Sequence, residues 1–329
     1  MALSDEFVRN HISSWQQALQ SQHRPYREKW PSRLFHHAPI ENAVKILRDG
    51  YLRSRNDTNE LRVRDVAAPG VIDSRTHSHN FGRLYFRPRT PTQWHIEGIR
   101  KVGECSYGDQ THSPILVMMI FDAYNVLTRP GVHFCDRNTQ LASAVLGEDE
   151  AYFRTIPFQK VFHEGHLDGD RSIIEHRCAE VLAVSPMRLS ETMQWIYCRT
   201  DAERATLLHM LGPDGDTWAN YIKVSDDLLV FERKYAFCEG VAIDGKGIVV
   251  KFNARQDRQN LDIKVRVTNS ANQTKIDFHR SSMSARPEPP STSWRIHGEL
   301  PNGPYLAEIY LEGHLAFQSI LTVGQDLFL

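Results

Sequence analysis

The stretch RCAEVLAV, residues 177–184, places one carboxylate in a run of apolar residues. The apolar residues of this stretch are typical of a buried β-strand. An unpaired charge in such a strand would be costly. Glu180 could point outward by strand alternation or pair with Arg177, and the stretch by itself favours that structural explanation. A chemical role for Glu180 depends on the remainder of the chain.

Composition limits the class of protein. With 329 residues and 41% hydrophobic content, the chain is expected to form a core of about 200 residues and a smaller module. The 39 Lys and Arg residues nearly balance 40 Asp and Glu residues. This balance excludes the globally basic surface of a histone-like protein, but it allows a local basic groove.

The cysteines and the N-terminus indicate the cellular compartment in which the protein is expected. The five cysteines are scattered and contain no C-x-x-C pair, so neither a disulfide framework nor a metal site is predicted. MALSDEFVRN lacks a secretory pattern, and no run approaches the roughly 18 apolar residues of a spanning helix. A soluble, cytoplasmic protein is expected.

The N-terminal third combines helices with one short strand. Residues 5–21 are predicted to form an amphipathic helix capped by Ser4. In RLFHHAPIENAVKILRDGYLRS, residues 33–54, a short strand ends in His36 and His37. A helix is then predicted from near Ile40 to Gly50.

This order of strand, histidine, turn, helix and Gly-Tyr-Leu resembles the opening of the ADP-ribosyltransferase fold of the diphtheria-toxin and PARP type. In that family a first-strand histidine hydrogen-bonds the ribose of NAD. The resemblance implies that His36 has this role, although a structural histidine is the alternative.

A second resemblance is narrower. The block LYFRPRTP, residues 84–91, is similar to the "FYF-x-PR-x-PM" signature of DarT, a bacterial toxin family that ADP-ribosylates thymine in single-stranded DNA. The segment SPILVMMIF (113–121) has the pattern of a buried central strand. The segment GVHFCDRNTQLASA (131–144) resembles the family's "H…TDGNAA" segment, and RCAEVLAV resembles its "QAEFLV" strand. The resemblance spans roughly residues 32–232 and implies an α+β fold with a split β-sheet.

The resemblance also implies a set of site residues. Glu180 matches the catalytic glutamate, and the catalytic arginine matches Arg64 or Arg62, because the loop spacing allows either. The complete expected set is Glu180, Arg64 and His133 for catalysis; His36, Ala38, Asn42, Tyr85 and Arg62 for NAD; and Arg87, Arg89, Thr92 and Trp94 for nucleic acid.

Each role has a structural alternative. Arg64 could be solvated or paired with Asp65, His133 could hold Asp136, and Trp94 could belong to the core. Arginines beside aromatic rings suit a single strand, whose bases are free to stack. The arginines at 87 and 89 would supply charge to phosphates.

The sequence departs from the DarT pattern at three places where contacts with the substrate or with NAD are expected, and these departures bear on which base accepts the ADP-ribose. The family methionine is Thr92, the threonine two residues after the histidine is Ala38, and DGNAA is replaced by DRNTQ at 136–140. The acceptor is therefore left open between thymine, another base and RNA, since DarT-like toxins acting on mRNA occur in phage defence.

The sequence pattern changes beyond about residue 240, where short segments with the alternation of β-strands are separated by Asn, Gly and Pro turns. They predict an immunoglobulin-like or fibronectin-like β-sandwich. The expected domains are residues 1–236 and 237–329.

The leading hypothesis is a bacterial cytoplasmic toxin of a toxin–antitoxin or phage-defence system, which transfers ADP-ribose from NAD to a base of single-stranded DNA or RNA without a metal. Such a toxin implies an antitoxin, either a hydrolase or a binding protein, for which the sandwich offers a docking surface. The alternatives are a protein ADP-ribosyltransferase or NAD glycohydrolase, and a non-enzymatic nucleic-acid binding module with an adaptor domain.

Overall fold

The computed structural model describes residues 2–57, 59, 63–64, 76–105, 108–253, 255, 259–283 and 292–324. The chain divides into two compact units that are discontinuous in sequence. The first comprises Met1–His95, Val117–Tyr197 and Ser225–Glu232, and the second comprises Ile96–Leu116, Cys198–Val224 and Arg233–Leu329.

A β-sheet forms the centre of the first unit. Its strands run in the order β5–β6–β3–β1–β4–β8, with bounds β1 Arg33–Pro39, β3 Phe81–Tyr85, β4 Leu116–Asp122, β5 His133–Cys135, β6 Glu180–Val184 and β8 Met193–Cys198; the short strands β2 Tyr51–Leu52 and β7 Met187–Arg188 pair separately. The first six residues of β4 are buried, as the prediction of a buried central strand requires.

Helices surround this sheet: α1 Asp5–Ala18, α2 Ile40–Asp49, α3 Pro91–Ile96, α4 Ala123–Leu127, α5 Glu150–Phe153, α6 Phe158–Val161, α7 Ser172–His176 and α8 Leu189–Thr192, with 3-10 turns at Pro25–Lys29 and Thr76–Asn80. The helix α2 ends as predicted, at Gly50, whose φ of 76° suits glycine. The helix α1 is shorter than predicted, and Ser4 donates its hydroxyl to Glu150 rather than capping α1. None of the helices among the described residues has the length and apolar run needed to cross a bilayer.

One face of the sheet is packed by aromatic rings. Val181 of β6 pairs with Leu84 of β3 and Phe134 of β5, so these three side chains share a face. The ring of Phe134 lies 4.9 Å from that of Phe153 in α5. The opposite face of β3 and β6 carries Tyr85 and Glu180, which pair with each other.

The second unit is built mainly of antiparallel strands, with bounds β9 Ile222–Val224, β10 Phe237–Asp244, β11 Gly247–Asn253, β12 Leu261–Asn269, β13 Thr274–Met283, β14 Thr292–His297, β15 Gly303–Leu311 and β16 His314–Val323. The C-terminal strands form two sheets, ordered β10–β11–β14 and β13–β12–β15–β16. Apolar residues of both sheets share one core. The α+β class and the C-terminal β module are thus confirmed, while an immunoglobulin or fibronectin type of sandwich stays a prediction.

This unit also contains helices α9 Asp201–Leu211 and α10 Gly215–Trp218, and 3-10 turns at Asp109–Thr111 and Gly212–Asp214. The hydroxyl of Thr206 in α9 accepts a hydrogen bond from the backbone of Gln318 in β16 at 3.1 Å. Ala202 of the same helix belongs to the core shared with the sandwich. The helix α9 therefore packs with the C-terminal strands.

Candidate active site

Glu180 begins β6 and lies between two other strands. It pairs with Tyr85 of β3 on one side and with Cys135 of β5 on the other. Directly opposed residues of antiparallel strands project from the same face, with their Cβ atoms about 5 Å apart. The three side chains therefore form one row across the sheet, which Phe35 of β1 extends beyond Tyr85.

The carboxyl group of Glu180 is fully buried. Its Oε2 atom accepts a hydrogen bond from the backbone N–H of Thr139 at 3.1 Å, whereas Oε1 accepts none from the groups that the structure describes. Burial raises the pKa of Glu180, against the opposing effects of Arg83 and Thr139. A group with a raised pKa and one unused acceptor oxygen can hold a hydroxyl or take up a proton.

The ring of Tyr85 is fixed beside this carboxyl group. His37 stacks on it with ring centroids 5.3 Å apart and planes 3° from parallel. The side chain of Thr92 also interacts with Tyr85 and acts to lower the pKa of Tyr85. Burial and the neighbouring Glu180 raise the pKa of Tyr85, so its phenol remains neutral and keeps its proton for donation.

The two adjacent histidines of β1 have different surroundings. The Nδ1 atom of His36 lies 2.8 Å from the carbonyl oxygen of Arg83. The ring that stacks on Tyr85 is that of His37, although the resemblance to the ADP-ribosyltransferase family assigns the contact with the NAD ribose to His36. Burial lowers the pKa of both rings, that of His37 to about 3. Both histidines are therefore neutral near pH 7.

Asn42 of α2, which is expected to contact NAD, is hydrogen-bonded to the backbone of Val63 and Arg64. The Asn42 Oδ1 atom accepts from the backbone N–H groups of Val63 and Arg64, both at 2.9 Å, and its amide donates to the carbonyl of Arg64 at 2.7 Å. The Arg64 guanidinium lies 3.9 Å from Glu41, and Ala38 is buried. Asn42 thus positions the backbone of Arg64. Arg62 and Asp65 lie outside the described residues.

His133 lies on the same face as Glu180, because it pairs with Leu182 two residues further along β6. Its ring is 4.9 Å from that of Phe81, its Nδ1 is 2.9 Å from the carbonyl oxygen of Gly131, and its Nε2 is 3.8 Å from Glu148. The proposed alternative partner, Asp136, instead contacts His176 and Arg137. The described contacts of His133 therefore do not include Asp136.

The segment 136–140 contributes one contact that sequence reasoning missed. It is anchored by Arg137, which bridges Asp136 and Glu175, and by the ring of His176, whose Nδ1 is 2.8 Å from the Asp136 carbonyl oxygen. These anchors hold the Thr139 N–H against Glu180. No sequence signal could identify Thr139, since it acts through its backbone.

The two arginines of the LYFRPRTP block are bound within the protein. Arg87 is 3% exposed, and its guanidinium donates to the carbonyls of Val161 and His163 and to Glu164. Arg89 also donates to Glu164 but is partly exposed. The geometry favours a structural role for Arg87 and leaves Arg89 the better placed of the two for a ligand phosphate.

Thr92 and Trp94 both belong to α3. Thr92 lies close enough to Tyr85 and Cys178 to act on the pKa of both groups, lowering each, so α3 adjoins the row that contains Glu180. Trp94 is 41% exposed, which contradicts the alternative that its ring belongs to the core. Position 92 is therefore linked to the site, and Trp94 offers an exposed ring in the same helix.

Comparison with known proteins gives the family. The family model described as "DarT: ssDNA thymidine ADP-ribosyltransferase, DarT" matches residues 35–230, more than half of the chain. No protein with a curated description matches in sequence.

The solved structures to which the chain is similar include three complexes. "Thermus sp. 2.9 DarT in complex with ADP-ribosylated ssDNA" has 16% identity, a TM-score of 0.47 and coverage of 60% of this chain and 96% of that chain. The complex of the same Thermus protein with NAD+ has 16% identity, a TM-score of 0.45 and coverage of 60% and 97%. "Thermosipho africanus DarTG in complex with ADP-ribose" has 18% identity, a TM-score of 0.41 and coverage of 60% and 51%.

The matched range contains most of β1, all of β3 and β6, and the whole row formed by Tyr85, Glu180 and Cys135. The family model therefore covers the described site, and the chain belongs to the DarT family of ssDNA thymidine ADP-ribosyltransferases.

Proposed function

We propose that this chain transfers ADP-ribose from NAD to a thymine base of single-stranded DNA, with Glu180 as the catalytic residue. Family membership over residues 35–230 supports the reaction and makes NAD the co-substrate. The observation that carries the assignment of Glu180 is its buried carboxyl group, which has one acceptor oxygen without a partner among the described groups.

The chemistry requires a negative or basic group at this position. When the bond between the ribose carbon and nicotinamide breaks, its electron pair leaves with nicotinamide and positive charge develops on the ribose. A carboxylate beside that ribose stabilises the charge. The new bond forms to the ring nitrogen of thymine, whose proton must be removed. A carboxylate with a raised pKa, as at Glu180, is the stronger proton acceptor.

The neighbouring residues are proposed to position the substrates. Tyr85, held by His37 and adjoined by Thr92, presents a neutral phenol beside the carboxyl group. Arg64, whose backbone is held by Asn42, is the proposed arginine of the reaction. Trp94 offers a ring on which a base can stack.

The biological setting follows from the product. A modified thymine blocks base pairing, so an enzyme of this kind poisons the bacterial cytoplasm in which we place it. A cognate antitoxin is therefore proposed, which either removes the ADP-ribose or binds the toxin, and for which the C-terminal sandwich is the proposed docking surface.

The reaction is tested by incubating the protein with labelled NAD and separate pools of single-stranded DNA, duplex DNA, RNA and protein. Label is expected on single-stranded DNA that contains thymine, and not on strands in which thymine is replaced. Label on RNA alone would assign the mRNA alternative. Label on protein alone, or free ADP-ribose alone, would contradict transfer to nucleic acid.

A further inference from the structure

Five arginines converge on one short segment of the first unit. They are Arg24, Arg27, Arg87, Arg89 and Arg177, here called the arginine cluster, and they surround residues 161–165. They come from three distant parts of the chain, so their convergence is a property of the fold. Arg87 is buried, whereas the other four side chains are partly exposed.

Backbone carbonyls occupy part of the donor capacity of the cluster. Arg24 donates to the Glu164 carbonyl at 3.1 Å and Arg27 to that of Phe162 at 2.8 Å. Arg177 donates to the carbonyls of His163 and Gly165, both at 3.1 Å. These bonds fix the guanidinium planes, but carbonyl groups carry no net charge to balance them.

Carboxylates balance the positive charge only in part. Glu164 contacts Arg87 and Arg89 and also accepts a hydrogen bond from Tyr26 at 2.6 Å. Glu232 acts electrostatically on Arg87 and Arg177. Among the described contacts, the negative charge that these two carboxylates supply is smaller than the positive charge of the five arginines.

Two observations show that this excess charge is felt within the protein. Burial and the neighbouring Arg177 and Arg89 lower the pKa of Arg87. The Nε atoms of Arg27 and Arg89 are buried and have no acceptor among the described groups. The cluster therefore carries excess positive charge on guanidinium groups that are partly exposed, and this charge can attract a further anion.

The cluster also lies next to the candidate active site in sequence and in strand register. Arg177 precedes Glu180 by three residues, and Arg87 follows Tyr85, the strand partner of Glu180, by two. At about 3.3 Å per residue these separations are short. An anion held by the cluster would therefore lie close to the strands that carry Glu180 and Tyr85.

We propose that the arginine cluster binds a phosphate group of a substrate. Planar guanidinium groups match the geometry of phosphate oxygens and bind them with charge-assisted hydrogen bonds. The inference rests on the proposed function, which brings two phosphate-bearing molecules to Glu180: the phosphodiester backbone of the single strand and the pyrophosphate of NAD. Glu164 acts as the internal anion that the phosphate joins or displaces.

The experiment compares binding without transfer, so that it does not depend on the reaction. Affinity for a thymine-rich single-stranded oligonucleotide is measured over a range of salt concentrations, and affinity for NAD is measured by calorimetry. The variants are Arg24→Gln and Arg27→Gln, with Arg24→Lys as the charge-preserving variant. Arg129→Gln is the matched control, because Arg129 pairs with Glu191 in the same unit away from the cluster.

If the phosphate belongs to the strand, each Gln variant lowers oligonucleotide affinity about 10-fold and reduces the salt slope by about 0.7. Arg24→Lys then keeps most of the slope. If it belongs to NAD, the loss appears in the NAD affinity. Effects no larger than those of Arg129→Gln on both ligands would overturn the inference, even where transfer to DNA is observed.

Glu164→Gln supplies a test in the opposite direction. Removing the internal carboxylate raises the net positive charge of the cluster, so phosphate affinity is expected to rise although the melting temperature falls. A cluster that serves only to hold residues 161–165 would lose stability with no gain in binding. Melting temperatures of all variants verify that each remains folded at the assay temperature.

Discussion

Glu180 and Tyr85 face each other across β6 and β3, so a carboxyl group and a neutral phenol lie side by side on the face of the sheet opposite Phe134 and Val181. The pairing register places them together, and the buried position of the carboxyl group raises its pKa.

Replacing Glu180 by Gln preserves shape and removes the basic oxygen. We expect transfer to fall by about 10²- to 10⁴-fold, measured as the rate of labelling of an oligonucleotide, with little change in NAD affinity. Retention of the wild-type rate would rule out the proposed catalytic role.

The same variant has an expected effect on stability. Because the folded-state pKa of Glu180 is raised above 4.5, its contribution to stability is fully present below that pH and is lost as pH rises through the folded-state pKa. The wild type should therefore lose stability relative to Glu180→Gln as pH increases from about 4.5. Urea unfolding at a series of pH values measures the difference, and parallel curves would contradict it.

His37 is predicted to act as a flat neutral ring. Since burial lowers its pKa to about 3, its contribution is stacking on Tyr85, which is worth about 0.5–1.5 kcal/mol. We expect His37→Phe to retain most activity and His37→Ala to lose roughly 2- to 12-fold in kcat/KM for NAD. An inflection near pH 6.5 that disappears in His37→Phe would show instead that this ring titrates.

Asn42 is predicted to serve Arg64. Asn42→Ala removes three hydrogen bonds to the backbone of Val63 and Arg64, whereas Asn42→Asp keeps the acceptor for two of them. Activity should therefore decrease in the order wild type, Asp, Ala, with Ala about 10-fold lower. In an Arg64→Ala background the Asn42 variants should cause no further loss. Full activity of Arg64→Ala would direct attention to Arg62.

The second unit contains a buried ion pair with a strong expected effect on stability. Arg199 is fully buried, contacts Glu203 and lies 3.6 Å from Glu97. Arg199→Met removes the cation from a buried carboxylate and should cost about 3–5 kcal/mol in the free energy of unfolding. Arg129→Met, which breaks an exposed pair, should cost about 0–1 kcal/mol. Chemical denaturation compares them, and equal losses would contradict the role of burial.

The sequence predicted the elements that carry strong local signals. The helix α2 ends at Gly50 because glycine tolerates the positive φ found there, and β4 is buried because its run of residues is apolar. The family signature around Tyr85 and Glu180 identified the strands of the site before their pairing was known.

The remaining site residues depend on pairing and on backbone contacts. Two adjacent histidines on a strand project from opposite faces, and only the register Phe35 to Tyr85 shows that His37 is the one on the face of Tyr85. Thr139 contacts Glu180 through its backbone N–H, which any residue except proline could provide. The internal partners of Arg87 come from residues 161–164, more than 70 positions away.

The packing of α9 limits how this protein can be shortened. The family match includes this helix, yet Thr206 is hydrogen-bonded to β16 and Ala202 belongs to the core of the sandwich. A fragment ending at residue 230 would expose to water the surface of α9 that packs with the C-terminal strands, and such exposure promotes aggregation. Loss of activity in such a truncation would therefore not distinguish a lost partner surface from the exposure of α9, so surface substitutions on the sandwich are the better way to look for a partner.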